Sequence, residues 1–238
     1  MNQVTVTGMV LKASPIGEYD RRVVILTKER GKITAFARGA RRPNSALVGV
    51  TSPFTFGEFS VYEGRTSFTL VSASVTNYFA ELRMDVEGAY YGFYFLEFAD
   101  YYAREYNDET QLLKLLYQTL RALTNPHLNN RLVRYIYELK VVAINGEAPQ
   151  VFECICCGDR ERPALFSIRS GRTTDGVALK TSTLYAMQYI ISSNIEKLYT
   201  FTVKEEILEE LGKVVRAYLD VYVDRHFKSL EILETIVE

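Results

Sequence analysis

The apolar residues change their period once, near Phe79, and this dictates a chain built from two kinds of structure. Before that point they alternate with polar residues in short runs broken by turn formers, the pattern of strands whose successive side chains face opposite ways. Five runs stand out, at 4–11, 22–27, 33–37, 55–62 and 67–75. Lys28, Glu29, Arg30, Gly31 and Lys32 join the second to the third, and Gly31 supplies the positive φ that a hairpin turn needs. Glu63, Gly64 and Arg65 make another tight connection, whereas 38–53 is a longer loop. Five short strands of this kind predict a small barrel, and an OB-fold and an SH3-like barrel both fit the count.

Beyond Phe79 the spacing is helical. The stretch 84–106 carries Tyr90, Tyr91, Phe93, Tyr94, Phe95, Phe98, Tyr101 and Tyr102, apolar almost all round, which predicts a buried central helix. Asp108, with Gln111 three residues on, caps a helix through Leu112, Leu115, Leu116 and Leu120 that Asn125 and Pro126 end. A third helix is expected over 128–145, closed by Gly146 and followed by Pro149. Residues 150–178 read as a loop-rich insertion. Helices at 183–193 and 203–224 follow, the second opened by a capping box of Thr202 and Glu205. No internal repeat or low-complexity tract is present.

The net charge of -1 hides an asymmetry: residues 1–80 carry +5 and residues 81–238 carry -6. Local field, not total charge, governs association, so a polyanion would be met by the N-terminal part. Surplus cations also protect sheet edges, so charge alone does not decide the matter. A hydrophobic content of 47% excludes a disordered chain. No apolar run approaches the roughly 18 residues that span a bilayer, so no membrane segment is expected and the location is read as cytoplasmic. Three cysteines, Cys154, Cys156 and Cys157, are too few and too crowded for a disulfide framework.

Residues from both parts, in order, resemble the RecO family of bacterial recombination mediators. In the first part these are Gly8-Met9-Val10-Leu11-Lys12, Gly17-Glu18-Tyr19-Asp20-Arg21, Arg30-Gly31-Lys32 and the distinctive run from Ala37-Arg38-Gly39-Ala40 through Arg41-Arg42-Pro43-Asn44-Ser45. Leu82-Arg83, Tyr94-Phe95-Leu96-Glu97-Phe98, Gly146-Glu147-Ala148-Pro149 and Phe227-Lys228-Ser229-Leu230 continue it. The resemblance implies an α+β multi-domain fold: a five-stranded OB-fold β-barrel over 1–78, then an all-α domain over 79–238 with a small zinc-ribbon-like insertion at 150–178. It implies a mediator that binds single- and double-stranded DNA, anneals strands, and works with RecR to help RecA displace single-strand-binding protein, whose C-terminal tail it binds. Such a protein would sit at the nucleoid.

The basic loop makes chemical sense in that role. Arg38, Arg41 and Arg42, among Gly39 and Pro43, can meet a phosphate backbone without burying charge, and the guanidinium fork suits phosphate. Arg21 and Arg22, with Lys28, Arg30 and Lys32, are candidates to extend that surface. Phe36, Phe56, Phe59, Tyr62 and Phe68 are candidates for base stacking, but alternation sends most of them into the core, so none is singled out. The cysteine cluster departs from the family's four-cysteine zinc site. Cys154 and Cys157, with Cys156, supply its first half, but Gly171 to Gly176 offers only Asp175 and two threonine hydroxyls in place of a second pair. Structural zinc wants four ligands, so a degenerate ribbon without metal is expected.

No Gly-x-Ser-x-Gly elbow, His-Glu-x-x-His helix or Gly-x-x-x-x-Gly-Lys loop is present, and His127 and His226 stand alone. A non-enzymatic protein is therefore expected. Two other readings remain open from the residues alone: an adaptor that binds only proteins, and a metal-dependent nuclease that would cleave strands with added magnesium or manganese.

Overall fold

The computed structural model describes residues 2–153, 165–167, 172–173 and 177–237. Its strands are β1 (Asn2–Ile16), β2 (Asp20–Thr27), β3 (Gly31–Ala37), β4 (Phe56–Glu63), β5 (Phe68–Asn77), β6 (Leu165–Ser167), β7 (Arg172–Thr173) and β8 (Val177–Ala178). Its helices are α1 (Leu47–Val50), α2 (Val86–Tyr102), α3 (Thr110–Leu123), α4 (Asn130–Ile144), α5 (Thr181–Ser192), α6 (Glu205–Tyr222) and α7 (Lys228–Val237). One compact unit comprises Met1–Thr124 and Phe227–Glu238, and a second comprises Asn125–His226. The barrel-bearing unit therefore extends past the change of period and takes in α2, α3 and α7.

The five predicted strands form a closed barrel in the order β1-β2-β3-β5-β4. β1 is long enough to pair twice, with β4 from Asn2↔Glu63 to Met9↔Phe56 and with β2 from Gly8↔Thr27 to Ile16↔Asp20. A register shift between Val10 and Lys12 marks the bulge at which it bends from one partner toward the other. The barrel closes where β3 runs parallel to β5, through Ala35↔Phe68 and Phe36↔Thr69. This is the OB-fold, and it settles the choice between two small barrels.

Alternation fills the interior with Val6, Val10, Val23, Ile25, Ile33, Ala35, Phe59, Val61, Phe68 and Leu70. The opposite face is buried too at Met9, Val24 and Leu26, on strands where α2 packs against β1 and α3 against β2. That second layer explains why β2 reads as a continuous apolar run. Tyr91, Tyr94, Phe95, Phe98 and Tyr102 on α2 are buried, as the aromatic density predicts. Phe227 lies among them, 5.6 Å from Tyr94, 5.3 Å from Phe98 and 6.0 Å from Tyr101 between ring centroids. Next to it the Ser229 N–H and O–H donate to the Glu97 carboxylate at 3.2 and 2.5 Å, which fixes the start of α7 against α2.

The second unit is built on α4, buried from Leu132 to Val142. Its buried charges are bonded within the unit: Arg134 donates to one oxygen of Glu138 at 2.8 Å, and the Lys140 ammonium donates to the Ile191 and Ser193 carbonyls at 2.7 Å, closing the end of α5. Gly212 brings α6 close to α4, since a Cβ there would come within 2.5 Å of the Tyr135 ring. Part of the expected loop-rich insertion is a three-stranded sheet of order β7-β6-β8. The predicted capping box is not formed, because Lys204 is the N-cap of α6 and makes no side-chain cap. Asn129, unpredicted, caps α4 by accepting from the Arg131 and Leu132 amides. No helix among the described residues is long and apolar enough to cross a membrane.

Candidate nucleic-acid interface

The segment after β3 is a chain of turns pinned to the turn between β1 and β2. Gly39, in the left-handed region at φ 66°, donates its N–H to the Asp20 carboxylate at 2.7 Å. Ala40 is fully buried as part of the barrel core. The Arg41 N–H then donates to the Tyr19 carbonyl at 2.8 Å, and the Arg42 N–H to the Gly39 carbonyl at 3.0 Å. This backbone is held at four successive points, so the arginines project from an ordered platform.

The side chains are positioned as well. The Arg41 guanidinium donates to the carbonyls of Glu18 at 3.1 Å and Gly17 at 3.4 Å, contacts that orient it without cancelling its charge. Arg42 lies over the Tyr19 ring at 5.3 Å, a cation–π contact that leaves guanidinium N–H groups free to donate. Arg38 is exposed. Among the described residues no carboxylate pairs with Arg38, Arg41 or Arg42. Arg22, exposed on β2 and in register with Ser14 and Phe36, belongs to the same end of the barrel.

The other predicted cations divide by role. Arg21 is half-buried and donates to the Val48 carbonyl at 3.0 Å and the Thr51 hydroxyl at 2.8 Å, so it anchors α1, the far end of the loop. Lys28, Arg30 and Lys32 lie at the opposite end of β2, roughly 20 Å from Arg21 at the rise of a strand, and so do not extend the arginine loop directly. That turn is packed against the segment after α2: Lys32 N–H donates to the Arg104 carbonyl at 2.8 Å, and Tyr106 N–H to the Arg30 carbonyl at 3.0 Å. Lys32 is committed to Asp100, 3.2 Å from its carboxylate and 2.6 Å from its carbonyl. Arg30 faces Glu63 at 3.6 Å in a half-exposed pair, and Lys28 is exposed.

The aromatic candidates separate by parity. Phe59 and Phe68 are in the core, and Phe56 packs on Tyr117 at 4.6 Å. Phe36 is half-buried on the outer face of β3, and Tyr62 is exposed on β4. The sequence suggests no site role for Tyr19, Asp20 or Asp100, since each acts on a residue distant in it.

In the second unit a cleft of about 740 Å³ lies between α5 and the start of α6, walled by Tyr185, Tyr189 and Phe201. Its rim carries both Lys204 and Glu206, so it shows no single sign of charge. Cys154, Cys156, Cys157 and Asp175 lie outside the described residues. Among the described residues no three His, Cys, Asp or Glu side chains gather to hold a metal.

Comparison with known proteins covers nearly the whole chain. A family model described as Recombination protein O N terminal matches residues 1–79, and one described as Recombination protein O C terminal matches residues 83–231. A protein of Acetivibrio thermocellus named DNA repair protein RecO is 30% identical, over 99% of this chain and 98% of its own. One of the same name from Alkaliphilus metalliredigens is 31% identical, over 96% and 98%. A third, from an Exiguobacterium strain, is 28% identical over 98% and 96%.

Proposed function

This chain belongs to the RecO family of DNA repair proteins, and from that premise we propose that it binds single- and double-stranded DNA through the arginine loop of its barrel. The observation that carries the reading is the ordered loop whose three guanidinium groups lack carboxylate partners among the described residues. In OB-folds the loop between the first two strands belongs to the oligonucleotide-binding surface, and here it is the element on which the arginines are mounted. Arg38, Arg41, Arg42 and Arg22 are assigned to phosphate contacts. Arg21 acts through the loop it anchors.

Annealing follows from the same chemistry without a catalytic residue. A cationic surface lowers the repulsion between two polyanions and holds complementary strands near one another. Membership of the family supports a mediator role in the cytoplasm, with RecR and the tail of single-strand-binding protein as partners in loading RecA. The rival adaptor reading makes the loop incidental.

Titration of labelled single-stranded DNA at several ionic strengths tests the proposal. Log K is expected to fall with log salt by about 0.7 for each phosphate contact, and Arg41→Ala combined with Arg42→Ala to flatten that slope. Binding that ignores salt, or a double variant with the wild-type slope, overturns it.

A further inference from the structure

We infer that the outer face of β3 is a single-strand track on which Phe36 and Tyr106 stack bases, Tyr106 being supplied by the segment between α2 and α3. The inference rests on the arginine loop being a phosphate site and adds to it a means of telling single strands from duplex.

Alternation turns Ile33, Ala35 and Ala37 into the barrel and leaves Lys32, Thr34 and Phe36 on the other side. Lys32 is sealed to Asp100, so α2 covers that end of the strand. Thr34 and Phe36 remain half-exposed. Phe36 is flanked in register by Arg22 on β2 and Thr69 on β5, which places an aromatic face beside a cation at the end of the barrel that carries the arginine loop.

Tyr106 is anomalous for a residue with only a packing role. It is 66% exposed and its backbone is in the left-handed region at φ 59°, a conformation that is costly for a bulky residue. Its N–H, bonded to the Arg30 carbonyl at 3.0 Å, helps hold it there. Burial gains little from the ring. The ring lines a small cleft with Thr34 and Thr66, where β3 and the β4–β5 turn diverge. Thr34 and Phe36 are two residues apart, about 6.6 Å along the strand, so Phe36 and the cleft that Tyr106 lines with Thr34 fall on one stretch of β3.

Charge continues along the track. Arg22 and the arginine loop lie at one end, and Arg30 with exposed Arg65 of the β4–β5 turn at the other. Glu63 and Glu105 also lie there, but the Arg30 to Glu63 pair is half-exposed and 3.6 Å long, a contact that a phosphate can displace. A cationic groove with aromatic faces is the means by which proteins hold single strands without reading sequence, and strands two and three with their flanking loops are where an OB-fold offers it. A duplex keeps its bases stacked internally and gains nothing from the rings.

The test compares Phe36→Leu, which keeps an apolar side chain, with Tyr106→Gly, which suits the positive φ. Affinities are measured for a fluorescent single strand and its duplex, with a 2-aminopurine strand reporting stacking. Each variant is expected to stay folded, to bind the single strand about tenfold more weakly, to lose part of the 2-aminopurine quenching, and to bind duplex as wild type does. Wild-type single-strand affinity in either variant, alongside a weakened double arginine variant, overturns the track and spares the phosphate site. Salt-independent DNA binding, or none, by the wild type overturns both.

Discussion

Gly31 meets two demands that no other residue meets together. Its φ of 64° is left-handed, and a Cβ on it would stand 2.3 Å from the Arg104 carbonyl. Gly31→Ala should therefore cost about 2–4 kcal/mol, read as a lower urea midpoint, since both a left-handed alanine and a backbone clash must be relieved. The turn was legible in the sequence because its residues are neighbours, but the clash was not, because Arg104 is far along the chain. The same limit applies to the candidate site. Three clustered arginines in a loop pointed to phosphate, and they are found unpaired with carboxylates among the described residues. What holds them, Tyr19 beneath Arg42 and Asp20 on Gly39, depends on two turns that meet only after the barrel closes. Lys32 is the reverse case: its charge was visible, while its partner Asp100 lies 68 residues away.

At the scale of elements, period carried most of the information. Four of the five strands fall within two residues of expectation at either end, because one face of each is bound to the barrel core and a slip would turn that face outward, whereas β1 runs on past its expected end at 11 to Ile16. Helix α7 was not anticipated. Its ten residues are too short for a helix to persist alone, so its order comes from docking on α2, which no local pattern reports. The box of Thr202 and Glu205 failed for a related reason: Thr202 lines the cleft beside α5 instead of capping α6. Helix α6 also yields a pH prediction. Burial pushes the Tyr218 hydroxyl up to about 12, and it donates to the Glu147 carbonyl at 2.7 Å. A raised pKa means the native state keeps a proton that the unfolded chain releases near its ordinary value of 10.0. The stability it contributes is complete below that value and is lost as pH rises toward 12. Tyr218→Phe should accordingly show a smaller drop in urea midpoint between pH 9 and pH 11.5 than wild type, and an equal drop would refute the assignment.

For the molecule as a whole, the first unit depends on a segment remote from it in sequence. Phe227 is 6% exposed among the rings of α2, so Phe227→Ala should destabilise the barrel-bearing unit by about 3–5 kcal/mol. Denaturant unfolding followed by hydrogen exchange at β1–β5 would register this as lost protection in strands that never touch the altered residue in sequence. The charge asymmetry, by contrast, was plain from the start: the basic part is the barrel, and it carries the arginine loop. The return of Phe227–Glu238 to the barrel-bearing unit also sets a schedule for biosynthesis. Translation at about 5–20 residues per second leaves α2 without its cover for several seconds while Asn125–His226 is made. A nascent chain stalled in that interval would present Tyr94, Phe98 and Tyr101 to the cell as a greasy, half-built surface, a natural target for chaperones on the ribosome.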